Sequence, residues 1–457
     1  MAQKIINKLR DFPSIEELLQ NSKLTSLIAS IPRPMSALIV KQVVAKLKNS
    51  FKTDKKSVTQ QEIINHIKKQ IFVFKRKEIS KVINATGVVV HTNLGRAPLS
   101  ENLFEAIKKT AVGYGNIEFD LNKGKRGQRG EACEKYLALL SGAESATVVN
   151  NCAAALFITL NSLSSRKKVV ISRSELVQIG GGFRIPDILK KSGAKLSEVG
   201  STNITTLADY ENNLDDKTGL ILKVHQSNFV QRGFIKQVSL KQLVEIGKKN
   251  NLPVVNDLGS GVFVSTKDIL GYKEPTVQQS VRDGASLTTF SGDKMLGGGQ
   301  AGLIVGKENY IKKIKKNPLF RTVRVDKIVF SILEKLLEYY LNDQWKDEIK
   351  LWSILSVPES ELYKRGKKIL KELGYPEGIS IQATKAYVGG GALPEADIPS
   401  IGIMFSHQYD APKLLKMFRE LIIPIIGRID NDCFILDLKA IDEYDLSYVI
   451  KAIKQII

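Results

Sequence analysis

Ser291-Gly292-Asp293-Lys294 falls between a strand-like run at 285–290 and the glycine-rich stretch Gly297-Gly298-Gly299-Gln300-Ala301-Gly302, which leads into a second strand-like run at 303–305. The pattern predicts a lysine in a tight turn between two buried strands. Strands of an α/β core sit in a sheet covered on both faces, and an ammonium placed there must be neutralised, paired or used covalently. One covalent use suits the position: a Schiff base with an aldehyde cofactor.

Pyridoxal phosphate (PLP) is such a cofactor, and it needs a carboxylate for its pyridinium nitrogen and a cradle for its phosphate. Leu252-Pro253-Val254-Val255-Asn256 reads as a short buried strand that delivers Asp257 at its C-terminal end, ahead of the flexible Gly259-Ser260-Gly261. Ligands of open α/β sheets bind at those ends. Ala146-Thr147-Val148-Val149 is a similar strand, and after Asn150-Asn151 the run from Cys152-Ala153-Ala154-Ala155 to Leu163 has helical composition. Free N–H groups at the start of that helix suit a dianionic phosphate, and the Ser291 hydroxyl offers one more donor. Each element alone has a bland reading: a solvated charge, turn chemistry, a helix cap. The order phosphate turn, Asp, Lys is more specific, because three strand ends must converge on one cofactor, and it favours PLP.

Other motifs dissolve on inspection. Gly297-x-Gly299-x-x-Gly302 matches a dinucleotide fingerprint, but that fingerprint must open a helix, and this one runs into a strand. Ser291-x-x-Lys294 with Lys217-Thr218-Gly219 has the wrong order for a penicillin-binding nucleophile. The four histidines and three cysteines are scattered without metal-ligand spacing, so no metal site is expected. No run approaches the ~18 apolar residues of a membrane span, and the N-terminus lacks a signal-peptide core. With three unpatterned cysteines, a cytoplasmic location is expected.

Charge narrows the partner. A formal net charge of +21 is high for an enzyme of small molecules and points to a polyanion. Residues 1–80 hold 16 Lys and Arg against 6 Asp and Glu, so under a fifth of the chain carries nearly half the surplus. This segment reads as short amphipathic helices at 14–19, 35–47 and 60–74, punctuated by Pro13, Pro32 and Pro34. Its lysines, Lys41, Lys46, Lys48, Lys52, Lys55, Lys56, Lys68, Lys69, Lys75 and Lys77 with Arg76, would contact phosphates without reading bases, and few aromatics interleave them. Backbone and shape recognition of a folded RNA is expected. From residue 81 to 325 short strands alternate with helices, implying a mostly parallel, doubly wound sheet that binds the cofactor. Residues 326–457 read as a helical connector, then a small α+β domain with helices at 361–373 (Ser360 as N-cap), 411–421 and 443–456 and strands at 379–383, 401–405 and 433–438.

The run from Ile83-Asn84-Ala85-Thr86-Gly87 through His91-Thr92-Asn93-Leu94-Gly95-Arg96-Ala97-Pro98-Leu99 resembles the signature of the bacterial selenocysteine synthase family, the L-seryl-tRNA(Sec) selenium transferases. Glu175-Leu176-Val177-Gln178-Ile179-Gly180-Gly181, Val224-His225-Gln226-Ser227-Asn228-Phe229, Asp257-Leu258-Gly259-Ser260-Gly261 and Val388-Gly389-Gly390-Gly391-Ala392-Leu393-Pro394 are similar to the family as well. The resemblance covers residues 80–457.

It implies an α/β fold, that of a fold-type-I PLP-dependent transferase (aspartate aminotransferase-like) with a small α+β C-terminal domain and a helical N-terminal, tRNA-binding domain. Lys294 would be the Schiff-base lysine, with Asp293 as a second catalytic group. Asp257, Cys152, Ala153, Ser291 and His225 would contact the cofactor, and Arg96, Arg321 and Arg324 would hold the anionic selenium donor. The implied reaction is β-elimination of water from seryl-tRNA(Sec) and addition of selenium from selenophosphate, in a homo-oligomer built from dimers. Two positions depart from the family: Cys152 stands where Asn is expected, and Pro394-Glu395-Ala396-Asp397 is unusually acidic. The competing expectation is a PLP-dependent lyase of a small phosphorylated amino sugar or amino acid, which would not need a basic helical appendage.

Overall fold

The computed structural model describes the chain except residues 1–4, 7, 55, 56, 180, 181 and 395, and divides it into two units, Met1–Lys81 and Val82–Ile457. Lys55, Lys56, Gly180, Gly181 and Glu395, singled out above, lie outside the described residues.

The first unit is helical: Ile15–Leu19, Thr25–Ala29, Arg33–Asp54 and Gln60–Lys75. Thr59 and Glu62 form a reciprocal capping box at the start of the last helix, which satisfies two end N–H groups at once. Ile63, Ile64, Ile67 and Ile71 recur at helical spacing and are buried with Leu18, Leu24, Val40, Val43 and Val44 in one core. The helix expected at 35–47 is longer. Arg33 begins it, and Pro34 stands in the first turn without breaking it, because a first-turn proline lacks only an N–H that would be unbonded there anyway. Lys41, Lys46, Lys69, Arg76 and Lys77 stay exposed.

Among the described residues the second unit holds two large sheets and three two-stranded ones. The strands of the large sheets are β1 (Val88–Val90), β2 (Ser145–Val149), β3 (Lys168–Ser172), β4 (Lys195–Val199), β5 (Thr218–Val224), β6 (Val254–Gly259), β7 (Leu287–Ser291), β8 (Gly302–Gly306), β9 (Ile379–Gly389), β10 (Ile398–Phe405), β11 (Arg428–Asp430) and β12 (Cys433–Asp437). The seven-stranded sheet has the order β4-β3-β5-β6-β7-β8-β2. All neighbours are parallel except at β8, which is antiparallel to both β7 and β2. Leu303 and Val305 enter one core while Ile304 enters the other. Both faces are thus covered, which is why these strands read as unbroken apolar runs. β6 extends past the expected 252–256 and carries Asp257 within it, opposite Thr289.

The five-stranded sheet has the order β11-β12-β10-β9-β1. β1 comes from the segment that sequence reasoning had grouped with the large sheet; it joins β9 in parallel, Val88 opposite Tyr387 and Val90 opposite Gly389. Phe405, Phe418 and Phe434 pack under this sheet with ring centroids 5.1–5.9 Å apart. The helix Glu359–Leu373 begins after Pro358, so Ser360 lies inside the first turn and is not its N-cap. Among the described residues no helix is long and apolar enough to cross a membrane.

Candidate functional site

The C-terminal ends of β5, β6 and β7 bring His225, Asp257 and Lys294 close together, the lysine and histidine charges both acting on the acid. Lys294 sits in the turn after β7, pinned by Gly292 N–H to the Ala301 carbonyl (2.9 Å), Gly298 N–H to the Gly292 carbonyl (2.9 Å) and Met295 N–H to the Ser260 carbonyl (3.0 Å). The residue is 8% exposed. Its Nζ makes no hydrogen bond or ion pair among the described residues. Glycines flank it: a Cβ on Gly259 or Gly391 would lie 3.9 or 3.7 Å from Nζ.

Asp257 is buried, and its Oδ1 accepts from the Thr289 hydroxyl at 2.7 Å and faces the Cys152 thiol at 3.6 Å. Burial pushes its carboxyl above the ordinary range, opposed by the Thr289 bond and then by the Lys294 charge. A cationic ring nitrogen placed against this acid would counter that penalty. Burial, with the Asp257 charge adding to it, likewise pushes the Cys152 thiol well up, so it is a neutral neighbour of the acid.

Cys152 also opens the helix Cys152–Ser164. Asn151 caps it, its side chain taking Ala154 N–H (2.8 Å) and its carbonyl taking Ala155 N–H (3.0 Å). The N–H groups of Cys152 and Ala153 are left without a partner among the described residues, which is the geometry of an anion cradle. β8 crowds this turn so closely that a methyl group on Gly302 would overlap the Asn151 carbonyl. The last glycine of the false dinucleotide fingerprint therefore serves the phosphate turn.

Asp293 gathers the next layer. Its Oδ2 holds Arg96 at 2.7 Å, and its Oδ1 accepts from the Ser291 hydroxyl at 3.0 Å. Ser291, expected as a phosphate donor, directs its proton to Asp293. Arg96 has φ +65°, a conformation uncommon outside glycine and often found where function imposes it. Arg321 and Arg324 lie along and just after the 3₁₀ segment Pro318–Val323, which is tied to the phosphate turn by Asn150 N–H to the Val323 carbonyl (2.9 Å). Arg324 approaches Glu118 at 3.7 Å, an acid already held by Arg129 (2.7 Å) and Arg126 (2.9 Å). The hydrogen bond from Arg129, then the surrounding guanidinium charges, keep that carboxyl below its usual range. Arg96 and Arg324 thus meet acids of the chain, and an incoming anion would exchange with carboxylates there.

His225 bonds in two directions: its backbone N–H donates to the Asp257 carbonyl (2.9 Å), and its Nε2 meets Glu274 Oε1 (3.0 Å). Sequence reasoning missed Glu274 and Thr289. Thr289 had a signal, a hydroxyl in an otherwise buried strand; Glu274, in Gly271-Tyr272-Lys273-Glu274-Pro275, looked like a solvated loop charge.

A free amine, a buried acid and two open N–H groups at strand ends fit PLP, with Lys294 for its aldehyde, Asp257 for its ring nitrogen and the Cys152–Ala153 turn for its phosphate.

The L-seryl-tRNA selenium transferase family matches residues 82–442. An L-seryl-tRNA(Sec) selenium transferase of Geotalea daltonii is 40% identical, over 99% of this chain and 100% of that protein. Proteins of the same name from Campylobacter jejuni and Aquifex aeolicus are 42% and 43% identical, over 98% and 86% of this chain and 99% and 88% of theirs. Among solved structures, D-glucosaminate-6-phosphate ammonia-lyase aligns with a TM-score of 0.62 at 20% identity, over 84% of this chain and 97% of that one, a likeness of fold alone. The fold is that of the fold-type-I PLP enzymes. The chain belongs to the L-seryl-tRNA selenium transferase family.

Proposed function

We propose that this protein converts L-seryl-tRNA(Sec) to L-selenocysteinyl-tRNA(Sec), exchanging the serine hydroxyl for selenium from selenophosphate. The observation that carries the reading is the unpartnered amine of Lys294 beside buried Asp257, in a chain about 40% identical over its length to proteins named for that reaction.

Bound PLP supplies an electron sink for the carbanion at serine Cα. The Lys294 amine, which would hold the cofactor's aldehyde, is placed to take the proton from serine Cα and to return it later. Asp257, steadied by Thr289, keeps the ring nitrogen protonated. The Cys152 and Ala153 N–H groups hold the phosphate, and His225, held by Glu274, borders the ring site. Asp293 couples the lysine turn to Arg96, so arrival of an anion at Arg96 is felt one residue from Lys294. Arg96, Arg321 and Arg324 draw in selenophosphate, guanidinium forks matching phosphate oxygens; the Cβ–O bond breaks and the hydroxyl leaves as water, selenium bonds to Cβ as the proton returns to Cα, and a water cleaves the Se–P bond to release phosphate.

The basic residues 1–80 bind the tRNA backbone, residues 81–325 bind the cofactor, and residues 326–457 close the site. The protein works in the cytoplasm as a homo-oligomer built from dimers. The small-substrate lyase is disfavoured, since its counterpart in the comparisons shares only 20% identity. The deciding experiment incubates the protein with PLP, seryl-tRNA(Sec) and selenophosphate and identifies the amino acid released from the tRNA. Selenocysteine is expected; serine alone would overturn the reading.

A further inference from the structure

Beside the cofactor pocket lies a cavity of about 420 Å³, bordered by His225 and Glu274 on one side and by Leu393, two residues past Gly391, on another. Its size is within the ~300–1,000 Å³ range of small-molecule sites. The turn that carries Gly391 beside the Lys294 amine goes on to Leu393 in this cavity's wall, and apart from His225 and Glu274 the chemistry above uses none of its lining.

The lining shows what it would accept. Its central charges are already paired: Lys223 with Glu175 at 3.0 Å, and Glu274 with His225 at 3.0 Å. An anion finds little free positive charge inside. What remains are acceptors. Gln231 donates its Nε2 to the Thr202 carbonyl (2.8 Å), which leaves its Oε1 buried with no partner. Gln237, an exposed residue, donates to Gln226 Oε1 (2.9 Å), so the buried orphan is the Gln231 oxygen. A buried acceptor without a donor costs free energy until a ligand supplies one. Phe229 and Tyr272 add aromatic surface, and exposed Lys273 stands at the rim. The complementary ligand is a neutral, flat heterocycle bearing an amine, attached to a phosphate chain that leaves past the rim.

We propose that the cavity receives the 3′-terminal adenosine of the aminoacyl-tRNA, with its exocyclic amine donating to Gln231 Oε1 and its ring against Phe229 and Tyr272. The inference rests on the substrate reading given above. The serine is esterified to the ribose of that nucleoside, so a base site must lie within one nucleoside of Lys294, and the turn from Gly391 to Leu393 runs from the lysine to this cavity. Selenophosphate, an anion without a donor of this kind, would be left to the arginines.

The test uses the full-length holoenzyme and two substrates, seryl-tRNA(Sec) ending in adenosine and the same tRNA ending in purine riboside, which lacks the amine. Wild type is expected to lose about tenfold in kcat/KM on the purine substrate. Gln231→Leu should lose a similar factor on the adenosine substrate and show no further loss on the purine one, the signature of a shared contact. Tyr272→Ala, at a residue 38% exposed and tolerant of change, should raise KM severalfold with kcat preserved. An amine effect that is as large in Gln231→Leu as in wild type, or an unchanged KM in both variants, overturns the adenosine site while leaving the reaction standing. A wild-type enzyme that converts neither substrate overturns the reaction itself.

Discussion

Among the described residues two lysines are buried, and they differ in one respect. Lys439, 3% exposed beyond the end of β12, donates to the Val357 carbonyl at 2.7 Å and lies in the field of Asp437, which is itself bonded to Ser400 (2.8 Å) and Arg428 (3.0 Å). Lys294, 8% exposed, has glycines around its ammonium and no bond at all among the described residues. Burial alone does not mark a lysine as chemical. A structural lysine is bonded to its surroundings, whereas a working one is left open at a cost in stability that the fold meets elsewhere.

The contrast breaks most sharply under substitution. Lys294→Ala should lower turnover more than about 10³-fold, abolish the visible absorbance of PLP held as its imine, and leave the melting temperature of the cofactor-free protein equal or higher, since it removes an unpaired buried amine. A clear drop in melting temperature would show that Lys294 is saturated after all. Asp257→Asn should cost on the order of 10²-fold in turnover and weaken PLP retention through dialysis, with seryl-tRNA affinity kept. Gly302→Ala should displace the Asn151 carbonyl, destabilise by about 1–3 kcal/mol in denaturant melts and reduce PLP affinity by the same disturbance. In the other region, Lys439→Ala should destabilise by about 1–3 kcal/mol, chiefly by orphaning the Val357 carbonyl, with kcat within about twofold of wild type.

The smallest effect is in pH. Burial lowers the Lys439 pKa from 10.5 to about 8. Between those values the unfolded chain keeps a proton that the folded chain has released, so stability rises with pH across that window and is lost as pH falls through about 8. Unfolding midpoints measured from pH 7.5 to 10 should show this rise flattened in Lys439→Met. An identical slope in the variant would place the titration on another group.

Much of the pocket was legible because a sheet covered on both faces leaves a plain record: apolar runs that stop at polar residues. Lys294, Asp257 and the Cys152 helix start stand at three such stops. What stayed hidden depends on partners far apart in the chain. Nothing near Glu118 announces Arg324, nothing near His225 announces Glu274, and β1 reads as a lone valine run until β9 arrives to pair with it. Ser360 failed for a local reason, since Pro358 already stands at the end of the extended backbone and the helix begins one residue later.

The parallel ladder between β1 and β9 joins two otherwise unrelated turns. Val90 leads into the turn that ends in Arg96, Gly389 leads into the one that carries Gly391, and the two strands share a register. One turn holds Asp293, and a Cβ added at Gly391 in the other would lie 3.7 Å from the Lys294 amine. They therefore travel together, like paired fingers on a single tendon: a shift of the five-stranded sheet would widen or narrow the space on both sides of the lysine at once.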